Sequence, residues 1–155
     1  MAPNIRPTAG TKMYVSAAVP STLDTNATTG YPSLTWTEVK GFSNFGEIGD
    51  MDEVGNFDLI DGGRTKYRAI TDPGEVENSG ADYPTDPGQI ILKDAKFSPR
   101  GSTAEKVSIR IEDEAGIGTY AVVLVSKWRR VYGGASDIQV RAMTLPIIAG
   151  TIVEY

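Results

Sequence analysis

Neither cysteine nor histidine occurs among the 155 residues of the chain, and each absence closes a route to chemistry. Without cysteine there is no disulfide framework, no thiolate nucleophile and no thiolate zinc site. Without histidine the chain lacks the side chain that titrates near neutrality, the usual general base and the commonest transition-metal ligand. Long hydrophobic runs are missing as well. The longest, residues 121–125, is far too short to span a bilayer. The opening Met-Ala-Pro-Asn-Ile-Arg-Pro has no apolar segment like that of a secretory signal. The expectation is a product kept in the cytosol, or built into a particle from there, and Asn26-Ala27-Thr28 is then a chance sequon. Cations are in deficit too: 20 Asp and Glu against 15 Lys and Arg give a formal charge of −5. That opposes a surface that grips nucleic acid, although an acidic subunit can stand beside DNA without holding it.

What is present fits one domain with its own core, at 40% hydrophobic and 23% charged residues. Residues 1–10, with Pro3, Pro7 and Gly10, read as an extended arm ahead of a domain spanning 11–155. Residues 12–17 alternate Met13, Val15 and Ala17 against Lys12, Tyr14 and Ser16, the period of a strand. A polar loop over 21–32 precedes a strand over 34–39, with Trp36 as its core anchor, and a short strand over 45–49. Residues 50–63 are acidic and glycine-punctuated, without helical period, yet they carry Met51, Val54, Phe57, Leu59 and Ile60. A loop or long hairpin this apolar packs down on its own domain or meets a partner. A strand pattern resumes over 64–70, and an Asp72-Pro73-Gly74 turn leads to a weaker strand over 75–81.

The run Asp86-Pro87-Gly88-Gln89 opens a helix, with Asp86 as cap, Pro87 in the first turn and Gln89 in the capping-box position. This helix is expected to bury Ile90, Ile91 and Ala95, to place Lys93 and Lys96 near its carboxyl end, and to stop before Pro99. Val107, Ile109 and Ile111 alternate with Ser108, Arg110 and Glu112, a strand with one buried and one wet face. After a turn over 116–118, a long strand is expected over 119–131, a partner over 137–145 and a closing strand over 151–155. The fold class is mainly β: an antiparallel sandwich or barrel with one short covering helix. Residues 121–125 are apolar on both faces, so either the helix or a neighbouring subunit covers the second.

Several motif matches dissolve on inspection. Residues 116–121 fit a dinucleotide fingerprint by letter, but Val122, Val123 and Val125 favour a strand where that motif needs a helix. Asp50, Asp52, Gly55 and Asp61 echo a calcium loop, with Val54 where an oxygen ligand belongs. Glu112-Asp113-Glu114 reads as a solvated hairpin tip, since adjacent strand residues face opposite ways. Trp128 reads as core, with Lys127, Arg129 and Arg130 forming ion pairs at an edge or interface in preference to gripping nucleic acid. No catalytic, cofactor or metal site emerges.

In order and texture the chain resembles the major tail tube proteins of long, non-contractile phage tails. The resemblance runs through Gly10-Thr11-Lys12-Met13-Tyr14-Val15-Ser16, Leu34-Thr35-Trp36-Thr37-Glu38-Val39, Phe45-Gly46-Glu47-Ile48-Gly49 and Gly63-Arg64-Thr65-Lys66-Tyr67-Arg68. It continues through Tyr83-Pro84-Thr85-Asp86-Pro87-Gly88-Gln89 and the ending over 140–152, and departs from the family between Asp72 and Asp82. The resemblance implies a structural, non-enzymatic subunit of a virion tail, assembled in the host cytoplasm. Hexameric rings would stack into a conduit through which double-stranded DNA passes unheld. Tape-measure, tail-terminator and tail-tip proteins would be the other partners, with no membrane and no cofactor. On that basis Met51, Val54, Phe57, Leu59 and Ile60 are expected at the ring-stacking contact, together with the arm. Ser108, Arg110 and Glu112 are expected to face the lumen, where acidic charge repels phosphate over roughly 8 Å. The alternatives are the inner tube of a contractile tail or secretion system, and a capsid-decorating or tail-tip protein. A carbohydrate-binding or enzymatic sandwich would need a concave site with convergent polar groups.

Overall fold

In the computed structural model, which describes residues 5–155, the period-two runs become strands that bury one set of side chains between two sheets. The strands are β1 (Lys12–Ser16), β2 (Thr37–Val39), β3 (Phe42–Asn44), β4 (Met51–Asp58), β5 (Arg64–Asp72), β6 (Glu75–Ala81), β7 (Val107–Glu112), β8 (Gly118–Val123), β9 (Lys127–Val131), β10 (Val140–Pro146) and β11 (Val153–Glu154). One α-helix, α1 (Pro87–Lys96), lies between β6 and β7. Antiparallel pairing gives a five-stranded sheet ordered β11-β8-β7-β1-β2, a four-stranded sheet ordered β3-β6-β10-β9, and a separate β4–β5 hairpin. The expected antiparallel sandwich with one helix is therefore present. No helix among the described residues is long and apolar enough to cross a membrane.

The core lies between the sheets. Met13, Val15, Val107, Ile109, Ala121 and Val123 of the first sheet meet Val76, Met143 and Leu145 of the second, with Leu92 and Ala95 of α1 among them. Burying each large side chain of this kind stabilises the fold by about 1.5–3 kcal/mol. The helix packs on β1 and β2 of one sheet and β9 of the other. It starts as its sequence directs: the Asp86 carboxylate accepts the Gln89 amide (3.1 Å) and also that of Lys40 (3.2 Å). Gln89 does not complete a capping box. Its side chain donates to the carbonyls of Lys40 (3.0 Å) and Ala81 (3.1 Å) and accepts from the Tyr83 amide (3.1 Å), tying the helix to both sheets. Gly88 allows the close approach, since a Cβ there would lie 2.6 Å from the Glu38 carbonyl.

That buried glutamine sets the phase of α1. The buried row is Gly88, Gln89, Leu92 and Ala95, so the expected burial holds for Ala95, while Ile91 is half-buried and Ile90 faces outward. Other boundaries shift for equally local reasons. The strand expected over 34–39 is regular only at β2, because Leu34 closes a turn and Trp36 folds back to donate its indole N–H to the Tyr31 carbonyl (3.1 Å). The strand expected over 45–49 lies earlier, at β3, and Gly46 ends it with φ +71°. The weak strand over 75–81 is the fully paired β6, flanked by β10 and β3. The single long strand over 119–131 is two, β8 and β9, in different sheets. Leu124 and Ser126 bond to Pro146 and Thr144 of β10 while the chain changes sheets, the usual way a sandwich turns its corner. Of the expected arm, residues 1–4 lie outside the described part, while Arg6 pairs with Asp113 at 3.2 Å.

Candidate assembly surfaces

The outer face of the five-stranded sheet is already covered. Ser108 is fully buried, and its hydroxyl donates to the Ala18 carbonyl at 2.7 Å. The Arg110 guanidinium lies over the rings of Tyr14 (4.1 Å) and Trp36 (5.2 Å), and its Nε is buried without a hydrogen-bond partner among the described residues. Glu112 accepts from the Tyr155 hydroxyl at 2.5 Å. Burial, then this bond to Glu112, pushes the Tyr155 phenol well up from its ordinary range. Tyr120 stacks between Tyr31 (4.8 Å) and Tyr155 (4.4 Å), and the Tyr31 hydroxyl donates to the Thr151 carbonyl at 2.6 Å. The expected wet face of β7 is thus corrected: Ser108 is sealed, and Arg110 and Glu112 are half-covered by the chain's own residues. The same packing explains the two apolar faces of residues 121–125. Ala121 and Val123 enter the main core, and Val122 enters a second cluster with Tyr31 and Tyr120. The chain covers that second face with Tyr31, Leu34 and Trp36, not with α1.

The outer face of the four-stranded sheet is barer. Pairing sets Glu77, Thr144 and Lys127 in one row and Ser79, Ala142 and Arg129 in the next, so small side chains run down the centre. The β3 side is acidic, with a hollow lined by Glu47, Glu75 and Glu77. The β9 side is basic: Lys127 and Arg129 are exposed, and Arg130 pairs with Asp82 at 2.6 Å. Trp128 packs against the core under the Arg141 guanidinium, as its sequence context suggests.

The hairpin is the third surface. Met51, Val54, Phe57, Leu59 and Ile60 all project from it with 43–108% exposure, so the apolar segment does not pack down on its own domain. Met51, Val54 and Phe57 lie on β4, and Leu59 and Ile60 form the tip, where the Leu59 amide donates to Gly63 at 2.7 Å. The calcium-like spacing is spread along this strand and its turn, not wrapped around a point. Register places Phe57 on the same face as Tyr67, whose ring covers Gly55. Arg64, Lys66 and Arg68 share the other face with Val54, Asn56 and Asp58. Sequence reasoning did not single out Tyr67 and Ile70, which are equally exposed on β5. Their signal was the apolar content of the strand read over 64–70.

No protein-family model and no curated protein matches the sequence. Solved structures do match in fold. A chain of the sheath/tube terminator of an extracellular contractile injection system, PVC, in its extended state has a TM-score of 0.69 at 9% identity, covering 100% of this chain and 99% of that one. A chain of the anti-feeding prophage cap, a tube-terminating cap, has a TM-score of 0.66 at 12% identity over 100% and 93%. A chain of the PVC sheath-tube complex in its extended state has 0.66 at 10% identity over 98% and 92%. The likeness extends to a phage p2 baseplate chain, at a TM-score of 0.51. The fold is thus one found in tail and injection-system particles.

Proposed function

We propose that the chain is a structural subunit of a tail-type tube, of the kind present in contractile injection systems, and not an enzyme. The observation that carries this reading is the end-to-end likeness in fold to chains of a sheath/tube terminator and a sheath-tube complex. These neighbours favour the contractile alternative over the long non-contractile tail that the sequence resembles. Copies form rings, hexameric by analogy with that resemblance, and rings stack around a channel. The partners are further copies and the tape-measure, terminator and tip proteins of the same particle, and any cargo, DNA included, passes without being held.

The surfaces support specific roles. Met51, Val54, Phe57, Leu59 and Ile60 make the ring-to-ring contact. The lumen falls to the bare face of the four-stranded sheet, with Glu75 and Glu77, in place of Ser108, Arg110 and Glu112. The acidic β3 side of one subunit meets the basic β9 side of the next, complementary charge fixing their register. Electron microscopy of the purified protein, dilute and then concentrated, tests the reading. Hollow rings or tubes are expected, and featureless particles at every concentration overturn it. The tube-terminating cap among the structural neighbours favours a second form of the same reading, a subunit that makes one ring and no filament. Isolated rings at the highest concentration select that form.

A further inference from the structure

We infer that the β4–β5 hairpins of neighbouring copies join edge to edge, the acidic β4 of one against the basic β5 of the next, into a closed collar. This rests on the tube reading above and names the partner of its hairpin surface. β4 carries Asp52, Glu53 and Asp58 and no base, whereas β5 carries Arg64, Lys66 and Arg68 with one acid, Asp72, at its foot. Among the described residues the two strands pair only with each other, so each keeps one free edge. Every residue of β5 is exposed. A two-stranded ribbon of this kind is marginal in water, and its open edges are templates for another strand.

Charge decides which strand can add. Two β4 edges would bring acids together and two β5 edges would bring bases together, both unfavourable across a strand pair. Only β4 against a second copy's β5 remains. Within the hairpin Arg64 pairs with Asp58 at 2.7 Å and Arg68 with Asp52 at 3.6 Å, leaving Glu53 and Lys66 without an ion-pair partner among the described residues. A contact between two different edges repeats head to tail and makes a ring when its rotation closes, as the tube reading requires. Rotation about an axis lying along the hairpin preserves strand direction, so β4 and the next copy's β5 run antiparallel, as they do inside one hairpin. Each strand of the collar then lies between two of opposite charge. The tip, Leu59 and Ile60, then points along the axis toward a stacked ring, and the Phe57–Tyr67 face, directed radially, meets that ring where the collar inserts into it.

A charge-swapped chain tests the collar without assuming its register. It carries Asp52→Lys, Glu53→Lys, Asp58→Lys, Arg64→Glu, Lys66→Glu and Arg68→Glu, which preserves the pairs inside the hairpin with their signs reversed. Native mass spectrometry of isotope-labelled wild type mixed with the swapped chain reads the composition of single rings. Each chain alone is expected to form rings, and mixed rings are expected at least about tenfold below the statistical share, because every mixed junction sets like charges side by side. Statistical mixing overturns the collar and leaves the tube reading standing, as does a swapped chain that folds but makes no rings. Absence of rings from the wild type removes both. Should the sixfold swap impair folding, Lys66→Glu alone, which breaks no ion pair inside the hairpin, decides. An unchanged melting temperature with about tenfold fewer rings supports the collar, and unchanged ring formation overturns it.

Discussion

Two regions of this chain treat their apolar side chains in opposite ways. In the sandwich, Met13, Val15, Leu92, Ile109 and Leu145 are 0% exposed, each enclosed by residues of the same subunit. In the hairpin, Met51, Phe57, Ile60 and Ile70 stand at 63% exposure or more. The first arrangement stabilises a monomer. The second leaves apolar area unburied, a state that soluble monomers seldom keep in a contiguous patch and that association removes. On the tube reading proposed above, folding and assembly would draw on separate sets of residues, and substitutions should separate them.

The largest effect belongs to the core. Ile109→Ala removes buried methyl groups where the two sheets meet, and a loss of about 2–5 kcal/mol is expected in chemical denaturation. Rings should then fail only because subunits are unfolded. Gln89→Ala comes next. It leaves the Lys40 and Ala81 carbonyls without their donor, at about 1–3 kcal/mol, and should loosen α1 from both sheets. A measured loss below about 0.5 kcal/mol, the range of an ordinary surface change, would show that water replaces the side chain.

Tyr31 tests the second cluster through pH. Burial pushes its phenol up to about 12 from 10.0. Between those values the unfolded chain has released the proton and the folded chain has not, so stability is fully present below pH 10 and falls as pH rises toward 12. Tyr155, also shifted upward, adds a loss of the same sign. Tyr31→Phe should cost about 1 kcal/mol at neutral pH, through the lost bond to Thr151. It should also flatten part of the alkaline decline in melting temperature; an unaltered slope would leave the decline to other groups.

The same contrast explains what could be read from sequence. Alternation at Met13–Val15 and Val107–Ile111 gave strands because local period and tertiary burial agree there. Asp86 and Pro87 marked the helix start because a cap is a local device, but the buried Gln89 turned the helix to a phase that hydrophobicity alone does not give. The covering of the outer face of β7 was illegible, since it depends on residues distant in the chain: Ala18 at Ser108, Trp36 at Arg110 and Tyr155 at Glu112. The change of sheet after Val123 was equally hidden within an unbroken apolar run. The hairpin's exposed residues were visible as apolar residues in an acidic setting. Their facial arrangement with Tyr67 appears only with the register.

Phe57→Ser gives the smallest expected change in subunit stability and so the sharpest form of the comparison. Phe57 is 63% exposed and lies opposite Thr65, so removing its ring opens no cavity and strands no buried polar group. Unfolding should shift by no more than about 0.5 kcal/mol, as at an ordinary surface position. If hairpins make the contact between rings, the same ring is buried in the assembly, where an aromatic anchor is worth about 2 kcal/mol or more. Higher-order assembly should then collapse while the melting curve stays in place. Sedimentation and thermal melts on one sample measure both quantities. Equal losses in the two would mean that the hairpin supports the fold, and no loss in either would remove Phe57 from the stacking surface.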